Sequence, residues 1–289
     1  MFNKASELLE ICNDKNLSIS EVVIEKEIKS NGFNMEELMD RMYETLQVMK
    51  DSATAALDKE VKSLSGLTGG NSKKVEDYKN SGKTLSGAFI NSAMAKAFST
   101  SEVNASMGKI VAAPTAGASG ILPSAILSAQ EKLNLTDEDL IKGLFTAVGI
   151  GEIIAKNATI SGAEGGCQAE CGSAAAMAAG AIVEMAGGTP QAALDAAGFA
   201  LTNILGLVCD PIAGLVEYPC ALRNASGVVN AFISADMALA GVQSIVPFDE
   251  VVESMYKVGK AMPESLRETA LGGLAATPTG IACSKRLLK

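Results

Sequence analysis

Six cysteines and no histidine define the chemistry open to this 289-residue chain. Cys167 and Cys171 stand four residues apart in SGAEGGCQAECG, where a small-residue loop runs into an alanine-rich stretch. On a helix that spacing puts both on one face. Cys209 and Cys220 bracket CDPIAGLVEYPC, and Asp210-Pro211 and Tyr218-Pro219 interrupt any helix at either end of it. Cys167, Cys209 and Cys220 thus all adjoin Gly- or Pro-marked breaks, where side chains can turn toward a shared centre. Thiolates suit zinc, other soft metals and iron–sulfur clusters. A buried free cysteine is also an ordinary small apolar residue. With no histidine to share the work, a soft-metal or iron–sulfur site is the better reading of the three together. Their spacing matches neither zinc-finger nor ferredoxin patterns. The missing histidine excludes a Ser-His-Asp triad, HExxH zinc chemistry and any histidine base within this chain.

Four loops mix glycine with hydroxyl residues: Ser65–Gly70 (SGLTGG), Ser81–Gly87 (SGKTLSG), Val111–Leu127 (VAAPTAGASGILPSAIL) and Lys156–Gly172 (KNATISGAEGGCQAECG). Glycine lets backbone N–H groups approach a ligand, and a helix N-terminus favours an anion. The Pro-Thr-Ala-Gly-Ala-Ser-Gly loop could cradle a carboxylate or phosphate with its amides and the hydroxyls of Thr115 and Ser119. A tight helix connection with a capping serine accounts for it equally well. None of the loops matches GxxxxGK[ST] or GxGxxG, which disfavours nucleotide binding.

The elements that hold these loops read as helices, and the expected fold is all-α. Charge crowds into the first part of the chain, where ASELLEICNDK, a helix capped by Ser18 and stopped at Gly32, and a long helix over 34–61 carry apolar residues at i, i+3, i+4 spacing. Beyond it the pattern predicts helices at 85–98, 121–133, 137–155, 173–185, 190–207, 225–240 and 250–259. Sustained strand alternation is absent. The expected organisation is an N-terminal helical section, 1–62, packed on a helical catalytic domain, 63–289.

Composition narrows the partners. Aromatic residues make up 4% and tryptophan is missing, so the core must be built from small and aliphatic side chains. A net charge of −9 without a basic cluster argues against nucleic acid. Residues 197–216, the most apolar stretch, contain Thr202, Asn203, Asp210 and Pro211, so a buried helix fits better than a membrane span. The N-terminus lacks the apolar core of a signal peptide, which predicts a cytoplasmic protein without structural disulfides.

The motifs SGLTGG, SGKTLSG, SEVNASMGKIVAAPTAGASGILPS, KNATISGAEGGCQAE, CDPIAGLVEYPCALRNA and GGLAATPTG, in this order over residues 63–280, resemble those of the iron–sulfur-dependent L-serine dehydratases. The similarity is to the α chain of the two-chain bacterial form. It implies a [4Fe–4S] cluster on Cys167, Cys209 and Cys220, with Cys171 outside the ligand set. The fourth iron is then open to act as a Lewis acid on the serine hydroxyl, giving pyruvate and ammonia without pyridoxal phosphate. It further implies a β chain carrying a regulatory ACT-like domain, since nothing in this chain corresponds to one. Thr115, Ala116, Gly117, Asn157 and Ser161 are expected to line the pocket for L-serine. Arg223 and Asn224 are expected to orient the cluster or the substrate carboxylate, although an ion pair suits Arg223 equally. For the base, Lys156, Glu164, Glu170, Lys83 and Ser161 are the candidates. Some relatives end in a cysteine that reaches the open iron; here Cys283 is followed by SKRLLK, a departure from that pattern. The rival readings are a cysteine desulfidase-like lyase and a non-enzymatic iron–sulfur sensing module whose site is closed by Cys171.

Overall fold

The computed structural model describes residues 1–287, and among them there are thirteen helices and no strand. They are α1 (Ala5–Lys15), α2 (Ile19–Asn31), α3 (Met35–Thr54), α4 (Asn71–Asn80), α5 (Gly87–Ala105), α6 (Ile121–Leu133) and α7 (Asp137–Asn157). The chain continues through α8 (Gly162–Gly165), α9 (Cys167–Met185), α10 (Pro190–Thr202), α11 (Cys220–Leu239), α12 (Phe248–Ala261) and α13 (Pro278–Leu287). The fold is all-α, as the sequence pattern implies. No described helix is long and apolar enough to cross a membrane.

Local sequence starts several of these helices. Ser18, Asn34 and Thr136 each accept from the backbone N–H three residues on, inside capping boxes closed by Glu21, Glu37 and Asp139. Thr189 caps α10 with Pro190 as its first helical residue. Elsewhere carboxylates from distant helices do this work. Asp249 of α12 accepts from Ala5 and Ser6 at the start of α1, Glu184 of α9 from Ile19 and Ser20 at the start of α2, and Glu102 of α5 from Asn71 and Ser72 at the start of α4. Each bond satisfies orphan donors and a helix dipole while tying two elements together.

At the centre lies α9, with α6, α7, α10 and α11 all packed on it. Its alanines from Ala174 to Ala181 are fully buried. The helices meet this closely because the residues are small: a Cβ on Gly180 would lie 2.1 Å from Ile150 Cδ1 of α7. One apolar core runs from Phe2 and Leu8 through Leu46, Ile121, Ile150 and Ala176 to Met255.

Several expected boundaries move. The helix expected from 173 begins at Cys167, because Gly172 is not a break but a packing residue pressed against Leu201 and Ile204. The helix expected from 225 begins at Cys220. The long N-terminal helix stops at Thr54, and the one expected to reach 207 stops at Thr202. α4 and α13 lie where the sequence pattern predicts no helix. For α4 the reason is plain, since its N-terminal carboxylate comes from Glu102, about thirty residues away.

Candidate metal centre

The centre forms where two helix starts meet two loops. Cys167 is the first residue of α9, and Gln168 beside it fixes that end. The buried Gln168 amide donates to the carbonyls of Gly165 and Met255 and accepts from the N–H of Gly206, while its own N–H bonds the carbonyl of Leu207. The next residues lead to Cys209, whose N–H bonds the carbonyl of Leu266 at 2.8 Å and whose carbonyl accepts from Glu268 N at 2.7 Å. Arg223 on α11 grips the same loop: Nη1 donates to the carbonyl of Val208 and Nη2 to Asp210 Oδ1 at 2.7 Å. Asp210 Oδ2 in turn accepts from Leu274 N at 2.7 Å, which brings the GGLAATPTG motif against the cysteine loop. Cys220 opens α11, and the side chain of Asn224 one turn on holds the carbonyls of Cys220 and Gly117 and the N–H of Gly120. The SGLTGG loop joins through Ser65 and Thr68, whose hydroxyls donate to the buried Glu217.

Four buried thiols and two carboxylates result. Cys167 Sγ lies 3.4 Å from Cys171 Sγ, and Cys209 Sγ lies 4.0 Å from Glu170 Oε2. One donor atom each from Glu170, Cys209 and Glu268 fall within 4.8 Å of one another. The backbone around them is bare. A Cβ on Gly162 would sit 2.6 Å from Glu170 Oε2 and 3.0 Å from Cys209 Sγ, and one on Gly117 would sit 3.2 Å from Glu170 Oε1.

The charges are unequal. Hydrogen bonds from Cys171 and Cys209, with the nearby Arg223 guanidinium, hold the Cys167 thiol well below its ordinary range. The same shared bond and burial push Cys171 and Cys209 up. Burial, then the charges of Cys167 and Glu170, push Cys220 up to about 12. Burial raises Glu170 to about 7, aided by Cys167 and Glu268 and opposed by Arg223 and by Thr115. The Thr115 Oγ1 is buried beside Glu170 and is the larger of the two opposing influences. Burial and Cys167 also raise Glu268. One ionised thiol among neutral ones, enclosed without histidine, is a donor set that fits a soft cation, which displaces the remaining protons as it binds.

Of the residues singled out in the sequence, the structure brings Cys167, Cys209, Cys220, Thr115 and Gly117 together. Ser161 immediately precedes Gly162, and Ala116 is exposed at the edge, its carbonyl accepting from Asn104. Asn224 is buried with its amide used up as a clamp between α11 and the Thr115 loop. Lys156 is turned elsewhere: it pairs with Glu152 at 2.6 Å and donates to Asn3 Oδ1. Asn157 likewise donates to the carbonyls of Asn3 and Ile153. Both tie down the N-terminal segment because α7 carries them past it. The Glu164 side chain is exposed. Glu268 escaped the sequence reading because it lies 59 residues beyond Cys209, in a left-handed backbone conformation no motif announces (φ 63°).

Fold and site together define an all-helical protein with a buried thiol–carboxylate centre of the kind that holds a soft metal. Residues 14–275 match the family described as serine dehydratase alpha chain, and the chain belongs to that family. It is 55% identical to the L-serine dehydratase alpha chain of Peptoniphilus asaccharolyticus over 100% of this chain and 99% of the relative. It is 52% identical to the probable L-serine dehydratase alpha chain of Bacillus subtilis (strain 168), covering 99% and 95% of the two. L-serine dehydratase 1 of Escherichia coli (strain K12) is 34% identical over 95% of this chain but only 61% of its own length.

Proposed function

We propose that this chain is the catalytic subunit of an L-serine ammonia-lyase, which takes L-serine to pyruvate and ammonia. The observation that carries the reading is that Cys167, Cys209 and Cys220 are buried near enough to act on one another's charge, with Glu170 and Glu268 beside Cys209, in a chain of the serine dehydratase family. Those three cysteines would hold a [4Fe–4S] cluster. When bound, such a cluster supplies a Lewis acid that makes the serine hydroxyl a better leaving group.

The chain's own residues do the rest. Bonds from Cys171 and Cys209, helped by Arg223, favour the thiolate of Cys167, and Arg223 braces the Cys209 loop through Asp210. Gly162 leaves room at Cys209 and Glu170, and Gly117 at Glu170, that any side chain would fill. Of the base candidates, Glu170 is the one whose carboxylate reaches the thiols, and it is assigned the Cα proton of serine; a group near pH 7 exchanges that proton readily. Loss of the Cα proton and of the hydroxyl as water leaves aminoacrylate, which tautomerises and hydrolyses in water to pyruvate and ammonia. The alpha-chain designation of the relatives, and the greater length of the Escherichia coli relative, support a separate β chain with a regulatory ACT-like domain. The setting is the cytoplasm.

Cys171 gives one observation to the rival, non-enzymatic reading, since a sulfur 3.4 Å from Cys167 is what a closed four-thiol site needs. The chain, purified anaerobically, reconstituted with iron and sulfide and joined with its β chain, is expected to form pyruvate from L-serine. It is expected to release little sulfide from L-cysteine. Full iron content without pyruvate contradicts the assignment.

A further inference from the structure

The substrate carries a carboxylate into a centre already crowded with Glu170, Glu268 and Asp210, and a side-chain cation beside the cluster offsets that repulsion. Arg223 is committed to Asp210 and to the carbonyl of Val208, and Lys156 to Glu152. We propose that Arg267 binds the α-carboxylate of L-serine. The inference rests on the L-serine reading above and names the residue that recognises the acid end.

Arg267 is placed by the same backbone bonds that place Cys209. The carbonyl of Leu266 accepts from Cys209 N and the carbonyl of Cys209 accepts from Glu268 N, so Arg267 and Cys209 face each other across an isolated parallel bridge. Residues paired in this way send their side chains to the same face. The Arg267 guanidinium lies over the SGAEGG turn, where Nη1 makes a long contact of 3.5 Å to the carbonyl of Glu164. Two residues before that carbonyl is Gly162, the position that closes on Cys209 Sγ and Glu170.

Arg267 is also unspent. Among the described residues, Arg223 pairs with Asp210, Arg41 stacks on Phe33 and Arg286 is exposed. Arg267 is half-buried, reaches no carboxylate within ion-pair distance, and keeps a buried Nε with no hydrogen-bond partner. Buried donors are almost always paired, so an orphaned one marks a place for an acceptor the protein itself does not supply. The geometry of a guanidinium edge matches a carboxylate with two parallel bonds, which a lysine cannot reproduce.

The test uses the reconstituted two-chain enzyme with R267Q and R267K, read by iron content, visible absorption and steady-state kinetics. Both variants are expected to keep wild-type iron and absorption. R267Q is expected to raise KM for L-serine about ten- to hundredfold, with a smaller fall in kcat, and R267K to recover part of the loss. L-serinamide, which lacks the carboxylate, is expected to compete far more weakly than L-serine with the wild-type enzyme and about equally with R267Q. A KM within about twofold of wild type, an undiminished preference for L-serine over L-serinamide, or loss of iron in both variants would overturn the assignment. A wild-type enzyme inactive on L-serine would instead sink the reading on which it rests.

Discussion

A thiolate enclosed at the start of a helix needs partners for its charge, and Cys167 has three: the N-terminal end of α9, the Cys171 and Cys209 thiols, and Arg223. The other thiols of the centre stay neutral until a cation arrives, because burial and the first negative charge both oppose a second. The same balance operates far from the centre at Cys12 in α1. Burial, then Glu184, raises its thiol from the ordinary 9.0 to about 11. The folded chain therefore favours the protonated thiol, and the stability this gives is fully present below pH 9 and lost as pH rises through about 11. Denaturant unfolding across that window is expected to show wild type losing about 2 kcal/mol more than C12A. Parallel curves for the two proteins would contradict it. Cysteines beside Gly and Pro breaks in a chain without histidine made a soft-metal centre legible in the sequence, and the choice of its ligands came from the family resemblance. Glu268 was not legible there, because only the backbone pairing of 266–268 with Cys209 brings it to the thiols.

At the scale of the elements, the centre is held by helix ends that approach closely, and small residues make that approach possible. Gly180 is the sharpest case: its missing Cβ is the space occupied by Ile150 of α7. G180A is expected to cost about 1–3 kcal/mol by overpacking, read as a lower thermal midpoint, whereas an unchanged midpoint would show that α7 and α9 can part freely. Helix type and most interiors were legible in the periodicity; α6 falls at the expected residues, and Ser18, Asn34 and Thr136 mark their own helix starts. Where a start depends on another helix, the signal is not local. Glu102 caps α4 across about thirty residues, and the glycine ahead of Ser173 that reads as a break is in fact a contact with α10 and the turn after it. Cys167 owes its place at a helix start to such a contact, since the N–H of Gln168 bonds the carbonyl of Leu207.

For the molecule as a whole, Phe2, Leu8, Ile19, Leu46 and Met49 are buried in the same core as the residues behind the thiols. Glu184 pins α2 to α9, and Asp249 pins α1 to α12. A chain lacking residues 1–62 is therefore expected to lose cooperative thermal unfolding, and a truncated chain that melts in a single sharp transition would show the section to be an appendage. Such a core, poor in aromatic rings, holds the cysteines of three separate segments at one point. Iron content after anaerobic reconstitution, measured side by side for C167S, C209S, C220S and C171S, tests that convergence most directly. The account predicts that the first three lose the cluster and pyruvate formation while C171S keeps both; a C171S protein that cannot hold iron, or a C167S protein that still does, contradicts it.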